Sequence, residues 1–163
     1  MTRPAGQSAE CYAQDIERVV ARRERIAERI EAIAEAIRLQ YAGDDELTLL
    51  AVLNGSLVFL SDLMRRLPLR VRVEVAHVSS YPGGATRSRG PRLTIPLPES
   101  LTGRHVLVVD DILDSGRTLD MLTAEIRSLG PRSLRTCVLV RKRRPDLPDR
   151  LEADFHGFDV PDE

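Results

Sequence analysis

Carboxylates and hydroxyls crowd into one short stretch of the chain, VLVVDDILDSGRT at positions 106–118. Its four leading apolar residues predict a buried strand, and Asp110 and Asp111 follow them directly. After the stretch, helical spacing continues at Leu119, Leu122, Ile126 and Leu129. The pattern therefore predicts a unit in which a strand ends and a helix begins. In an open α/β sheet, this is the place where ligands bind.

The loop of this unit has residue types that suit a phosphate. The N-terminus of a helix offers unpaired backbone N–H groups and a partial positive charge. Gly116 lets the backbone approach an anion closely, and Ser115 and Thr118 add hydroxyl donors. We therefore expect a phosphate group to bind at the start of the helix.

The carboxylates of the same unit predict the rest of the ligand. Asp110 and Asp111 would repel a bare phosphate, but they suit sugar hydroxyls or a bridging Mg²⁺. Asp114, between the sugar and the phosphate, is suited to accept a proton. A ligand with phosphates, a ribose diol and a divalent metal uses every group. The alternative is a solvated Asp-rich loop, which would leave the convergence of these side chains at a ligand-binding edge unexplained.

The stretch VLVVDDILDSGRTL resembles the phosphoribosyl pyrophosphate (PRPP) signature of type I phosphoribosyltransferases. From about Asp15 to its last residue, the chain resembles the hypoxanthine-guanine phosphoribosyltransferases. The supporting segments are AVLNGSLVFLSDL at 51–63, SSY at 79–81, LVRK at 139–142 and DFHGFDVP at 154–161. This resemblance implies an α/β fold with a mostly parallel central sheet, helices on both faces and a reduced hood. It also implies a purine-salvage enzyme that transfers ribose 5-phosphate from PRPP to hypoxanthine or guanine and releases pyrophosphate.

The resemblance assigns PRPP binding to two loops. The signature loop contributes Asp110, Asp111, Asp114, Ser115, Gly116, Arg117 and Thr118. Asn54 and Gly55 of the second loop would offer backbone N–H groups to the pyrophosphate, with an unusual cis peptide after Leu53. Some family members have Lys where Asn54 stands, so backbone contacts matter more here. The alternative for this second loop is an ordinary turn between a strand and a helix.

Further roles follow from the same resemblance. Asp114 would take or hold the purine N7 proton, and Mg²⁺ would reach Asp110 and Asp111 indirectly through the ribose hydroxyls. Ser80 and Tyr81 would belong to a loop that closes over the ligand. Lys142 would recognise the 6-oxo group of the purine, because an ammonium can donate to that oxygen. The register is open by one residue, so Arg141 competes with Lys142 for this role.

Periodicity predicts the elements that position these residues. We expect a helix over Arg23–Tyr41, strands over Leu47–Leu53 and Leu134–Val140, a helix over Leu57–Leu67, a half-exposed strand over Arg70–Val78 and a short strand over Leu93–Ile95. Residues 79–91 have the composition of a mobile loop with Gly83 and Gly84 as hinges. The basic run at 141–144 would be a solvated turn in most proteins, but here it follows a strand at the same sheet edge as the signature.

Length and composition predict one domain of 163 residues, with residues 1–14 flexible. A net charge of −1 argues against a general nucleic-acid binder, and no apolar run is long enough to span a membrane. The two cysteines, Cys11 and Cys137, are too few for a disulfide framework, so we expect a cytoplasmic protein with Cys137 in the core. Family members usually self-associate, so a homo-oligomer is expected.

The chain ends at Glu163, before the segment that carries the base-stacking aromatic residue of the family. We therefore expect the C-terminal hood segment to be absent. Two alternatives to the enzyme follow from this expectation: a non-enzymatic regulator that senses PRPP, and a truncated form of a longer enzyme. Hypoxanthine and guanine remain equal candidates for the base.

Overall fold

Six strands form one sheet in the computed structural model of the chain, which describes residues 19–43, 46–79, 90–144 and 152–162. The strands are β1 (Leu47–Leu53), β2 (Val71–Ser79), β3 (Arg92–Leu93), β4 (His105–Leu113), β5 (Ser133–Arg143) and β6 (Phe155–Pro161). Their order is β3-β2-β1-β4-β5-β6, and only β2 and β3 pair antiparallel. The order reverses between β1 and β4, so a crevice opens at their carboxyl ends.

Helices cover both faces of this sheet. The described α-helices are α1 (Arg23–Gln40), α2 (Leu57–Met64) and α3 (Arg117–Ser128), and a 3₁₀ turn spans Glu99–Leu101. α1 and α2 share one buried cluster with the sheet, whereas α3 belongs to the cluster on the opposite face. This arrangement confirms the predicted α/β architecture, with a mostly parallel sheet between layers of helices.

The central position of β4 in the sheet explains why the strand contains a continuous apolar run. Leu107 and Val109 enter the cluster with α1 and α2, while Val106 and Val108 enter the cluster with α3. All four side chains have no exposed surface. A parallel strand buried on both faces needs apolar residues at successive positions, because successive side chains point to opposite faces.

The carboxyl end of β4 differs from the prediction. The strand continues to Leu113, so Asp110 and Asp111 are part of it and do not follow it. The ladder with β5 still joins Ile112 to Val140 and Leu113 to Arg141, which accounts for the extension. The carboxylates are therefore fixed by strand pairing, and the loop is reduced to residues 114–116.

Strand β2 is half-exposed, as the sequence pattern predicts. Val73 and Val75 are 40 % and 43 % exposed, whereas Ala76 is buried. Among the strands, α2 packs against β1 and β4 more than against β2, which leaves the side chains of Val73 and Val75 exposed. The helix α2 is shorter than predicted, ending at Met64, and the short strand β3 is Arg92–Leu93 in place of Leu93–Ile95.

Some sequence predictions fall on parts of the chain that the structure does not describe. The flexible segment 1–14, the loop residues Ser80 and Tyr81 and the hinge glycines lie outside the described residues. The single domain of 1–163 and the reduced hood likewise stay predictions. Within the described ranges, no helix combines the length and the apolar character needed to cross a membrane.

Candidate active site

Two loops meet at the carboxyl edge of β1 and β4. After β1, the chain turns through Asn54–Ser56 into α2, and the peptide bond between Leu53 and Asn54 is cis, which confirms that prediction. The buried hydroxyl of Ser56 donates to the carbonyl oxygen of Val52 at 2.6 Å and closes the turn. This bond fixes the turn that contains Gly55, which lies beside β4 at the point where the signature loop begins.

The contact between the loops depends on the missing side chain of Gly55. A Cβ at this position would lie 2.2 Å from Oδ2 of Asp111, well inside contact distance. Only glycine therefore lets the backbone of the turn after β1 approach the carboxylate of Asp111. The close approach brings the turn after β1 and the end of β4 into one site.

Asp110 and Asp111 are held by the backbone that follows each of them. Oδ1 of Asp110 accepts a hydrogen bond from the N–H of Asp111 at 2.9 Å, and Oδ1 of Asp111 accepts one from the N–H of Ile112 at 2.9 Å. Burial raises the pKa of Asp110 to about 7, although the backbone N–H of Asp111 opposes this rise. A buried carboxylate of this kind gains from hydroxyl donors or a cation brought by a ligand.

The start of α3 has the backbone expected for an anion site. Gly116 adopts φ 72°, in the left-handed region that favours glycine, and its carbonyl oxygen accepts the first helical bond from the N–H of Asp120 at 2.8 Å. The helix then begins at Arg117. The partial positive charge of this N-terminus lies next to the carboxylates of β4, which gives the site both signs of charge.

These elements surround a hollow of about 390 Å³. Among the predicted residues, its lining includes Gly55, Asp110, Asp111, Asp114, Ser115, Gly116 and Thr118. Asn54, Arg117 and Lys142 are not in its lining, and Ser80 and Tyr81 lie outside the described residues. The structure therefore brings most of the predicted signature residues and one residue of the second loop to a common cavity.

Lys142 reaches this cavity through Asp114. Its Nζ lies 3.2 Å from Oδ1 of Asp114, and this carboxylate raises the pKa of Lys142 above its usual value. Arg141 points to the other side of β5, where its Nε donates to Oδ1 of Asp159 at 2.7 Å. Of the two candidates left open by the sequence, Lys142 is the one beside the signature loop.

The residues present fit a metal that arrives with its ligand. Among the described residues, no group of three or more His, Cys, Asp and Glu side chains is placed to hold an ion. The two carboxylates of β4 supply oxygen, which Mg²⁺ prefers, but an octahedral ion needs further oxygens from elsewhere. Phosphates and ribose hydroxyls of a bound ligand would provide them.

Comparisons with known proteins agree with this geometry. Residues 19–158 match the phosphoribosyl transferase domain. A hypoxanthine-guanine phosphoribosyltransferase of Mycobacterium tuberculosis is 40 % identical over 166 residues, which cover 97 % of this chain and 80 % of that protein. The corresponding enzyme of Aquifex aeolicus is 34 % identical over 89 % of this chain and 81 % of its own length. The chain belongs to the hypoxanthine-guanine phosphoribosyltransferase family.

Solved structures place this family member among the same proteins. A hypoxanthine-guanine phosphoribosyltransferase from Bacillus anthracis superposes with a TM-score of 0.78 at 32 % identity, covering 91 % of this chain and 85 % of that one. A hypoxanthine phosphoribosyltransferase from Trypanosoma cruzi, solved with the product IMP, gives a TM-score of 0.75 at 36 % identity, over 85 % and 78 % of the two chains. The fold and the branch of the family are therefore shared.

Sequence reasoning missed several residues of the site. Val52, Leu53, Val78 and Ile112 also line the hollow, and Arg144 and Asp162 contact the residues at its rim. No local signal in the sequence marks Ile112, an apolar residue within β4, as part of the site. Lys142, by contrast, was predicted, and it is the only lysine of a 163-residue chain with 24 basic residues.

Proposed function

We propose that this chain transfers ribose 5-phosphate from PRPP to hypoxanthine or guanine, giving IMP or GMP and pyrophosphate. The observation that carries the proposal is the single hollow in which the carboxylates of β4 face the turn after β1 and the N-terminus of α3. A phosphorylated ribose uses all three walls of this hollow. The names of the relatives and the IMP complex of the Trypanosoma cruzi enzyme support the same reaction.

In this proposal the start of α3 holds the 5-phosphate. The backbone from Ser115 to Thr118 donates to its oxygens, with Arg117 adding positive charge, and the hydroxyls of Ser115 and Thr118 are further donors. Asp110 and Asp111 accept hydrogen bonds from the ribose hydroxyls, and through these hydroxyls they would hold a Mg²⁺ that arrives with PRPP. Asn54 and Gly55 direct backbone N–H groups to the pyrophosphate on the opposite wall.

The chemical step joins N9 of the purine to C1′ of the ribose and breaks the bond between C1′ and the pyrophosphate oxygen. The N7 proton of the purine passes to, or is held by, Asp114 as positive charge develops on the base. Lys142 donates to the 6-oxo group of the purine, an interaction that adenine cannot accept. Mg²⁺ supplies charge neutralisation for the leaving pyrophosphate. Holding both substrates in line can supply about 7–11 kcal/mol of the reduction in activation free energy.

The closing loop of the proposal contains Ser80 and Tyr81, which would cover the site and keep water from the electrophilic sugar. The proposed compartment is the cytoplasm, because a substrate with this many phosphate charges does not cross a membrane unaided. We also propose a homo-oligomer. Its support is the apolar surface exposed on α2 and β2, at Leu57, Val58, Val73 and Val75. Light scattering checks the mass in solution.

The reaction is tested with PRPP, Mg²⁺ and each purine in turn, with released pyrophosphate as the measured product. We expect turnover with hypoxanthine or guanine and none with adenine. Calorimetry with PRPP alone separates the alternatives. PRPP binding without turnover on any base would favour the non-enzymatic sensor, and absence of both binding and turnover would contradict the enzyme and the sensor together.

A further inference from the structure

At the carboxyl ends of β4, β5 and β6, two cations and two carboxylates form a closed ring. Lys142 Nζ lies 3.2 Å from Oδ1 of Asp114 and 3.5 Å from Oδ1 of Asp162. Arg144 lies 3.5 Å from each of the same two side chains, through its NH1 group to Asp114 and its Nε to Asp162. Each carboxylate therefore contacts both cations. We name these four residues the charge ring.

Strand geometry explains why these residues meet. Side chains alternate along β5, so Lys142 and Arg144 share one side while Arg141 and Arg143 share the other. The second pair contacts Asp159 at 2.7 Å and 3.1 Å. Asp162 directly follows β6, whose Val160 pairs with Lys142, so it lies within reach of the first pair. The basic run thus divides into two sets with separate acidic partners.

The ring carries two positive and two negative charges, so its formal net charge is zero. Without Arg144, one ammonium would serve two carboxylates, and Lys142 would be held more tightly between them. With Arg144 present, both carboxylates keep a cation when the ammonium turns away. The ammonium then loses less by leaving them, because no carboxylate at the rim of the hollow is left unpaired.

We propose that Arg144 and Asp162 are positioning residues that set how readily Lys142 can leave Asp114 for the 6-oxo group of the purine. This inference deepens the proposed function and rests on it. The guanidinium acts through the two carboxylates and does not touch the base. Arginine suits this role because its planar group presents donors to two acceptors at once, whereas the more compact lysine ammonium remains mobile.

The kinetic test compares Arg144→Gln with wild type. We expect the KM for hypoxanthine or guanine to rise about fivefold while the KM for PRPP changes by less than about twofold. Arg144→Lys restores part of the loss because it restores the charge. Arg143→Gln is the matched control: it removes a neighbouring cation on the other side of β5, with a side chain 73 % exposed, and should leave both KM values unchanged.

A double-mutant cycle tests whether Arg144 acts through the ring. Asp162→Asn removes the second carboxylate, so adding Arg144→Gln to it leaves Lys142 with Asp114 alone. We expect the effect of Arg144→Gln on the KM for the base to fall from about fivefold to about twofold in this background, because Asp114 still loses its second cation. An unchanged effect, or equal changes in the KM values for base and PRPP, would overturn the proposal.

One readout is independent of activity. Because Lys142 is the only lysine, protein labelled with ¹³C-lysine gives a single Cε signal, and its pH titration reports the charge of this one ammonium. We expect Arg144→Gln to move the titration midpoint to higher pH and the control Arg143→Gln, which also keeps Lys142 as the single lysine, to leave it in place. If wild type turns over no purine but this shift is present, the proposed function fails while the ring stands. If the midpoint does not move, the ring is refuted whatever the activity.

Discussion

The carboxylate of Asp114 occupies a different environment from its neighbours in the signature. Its side chain is 51 % exposed and lies between Lys142 and Arg144, whereas Asp110 is buried and bonded to the backbone. A half-exposed carboxylate can meet an incoming base and exchange a proton with it. A buried, backbone-bound carboxylate is better suited to hold a sugar in one place. The two roles in the proposal follow from this difference.

Replacing Asp114 by Asn separates proton transfer from binding. The amide keeps the shape of the side chain but cannot take the N7 proton, so kcat should fall by about 10²-fold or more. The affinity for PRPP, measured by calorimetry, should change by less than about threefold.

The control for this variant is Asp120→Asn, which removes an exposed carboxylate in the first turn of α3, outside the hollow. It should turn over like wild type. Full activity of Asp114→Asn would exclude the proton-accepting role of Asp114.

Gly55 offers a test of the contact between the two loops. In Gly55→Ala, the new Cβ would overlap the carboxylate of Asp111, which must move. We expect the Kd for PRPP to rise about tenfold or more, a loss of about 1.4 kcal/mol, measured by calorimetry. Equal affinities of Gly55→Ala and wild type for PRPP would contradict a close contact that matters for binding.

At the scale of elements, β6 is fastened to β5 by charged and polar side chains at both ends. Asp154, just before the strand, accepts hydrogen bonds from the backbone N–H of Thr136 at 2.8 Å and from its hydroxyl at 3.0 Å. At the other end, Asp159 pairs with Arg141 and Arg143. Since β6 is an edge strand, these contacts hold in place the segment that leads to Asp162.

The pH dependence of stability should report the contact at Asp159. Arg141, and then Arg143, hold the pKa of Asp159 at about 2, below the value of about 3.9 expected in the unfolded chain. A lowered pKa stabilises the fold above the unfolded pKa, and this contribution is lost as the pH falls from about 4 to about 2. Wild type should therefore exceed Asp159→Asn by about 1–2 kcal/mol in free energy of unfolding at pH 6.

Urea unfolding at several pH values measures this difference, which should narrow steadily towards pH 2. Glu28→Gln serves as the control. Glu28 pairs with Arg25, but both side chains are exposed, so the pair should contribute little to stability. A difference between wild type and Asp159→Asn that is the same at pH 6 and pH 2 would contradict the assignment.

At the scale of the whole molecule, two buried clusters on opposite faces of the sheet hold the site. The central strands β1 and β4 contribute side chains to both clusters, so buried side chains on both faces of the sheet support the crevice between their carboxyl ends. The polar side chains that line the hollow lie at or just after the carboxyl ends of these strands. Because the two clusters fix the strands, the side chains at the strand ends are held in defined positions.

Truncation of the core on β4 should therefore be costly. Leu107→Ala removes a side chain with no exposed surface and should lower the free energy of unfolding by about 3 kcal/mol, measured by urea denaturation. Ile95→Ala, at a side chain that is 56 % exposed, should lower it by less than about 0.5 kcal/mol. Similar losses for both variants would mean that β4 is not the centre of the core.

The sequence predicted the parts of this molecule that local patterns encode. The apolar run of β4, the helical spacing after Thr118 and the glycine at 116 are local signals, and the structure confirms the unit that they form. The exposed face of β2 was not predictable, because valines at alternate positions do not reveal which helix covers them. Exposure there depends on the position of α2, which is set by packing against other strands.

The candidate site divides in the same way. Apart from Val78 of β2, the residues that line the hollow come from two short segments, the end of β1 with its turn and the end of β4 with the start of α3. The charge ring joins residues from the ends of three strands. No local sequence motif marks its members Arg144 and Asp162, so the ring could not be predicted before the fold was known. The choice between Lys142 and Arg141 needed the register of β5 against β6, because a shift of one residue exchanges the two sides of a strand.

The pairing of β1 with β4 has a consequence for how the protein is made. Leu47 pairs with His105, so β1 leaves the ribosome well before its central neighbour has been synthesised. At usual rates of translation the delay is roughly 3 to 12 s. During that interval the strongly apolar strand β1 lacks its native neighbour β4 on one side. The nascent chain would then need a chaperone to bind the exposed edge of this strand.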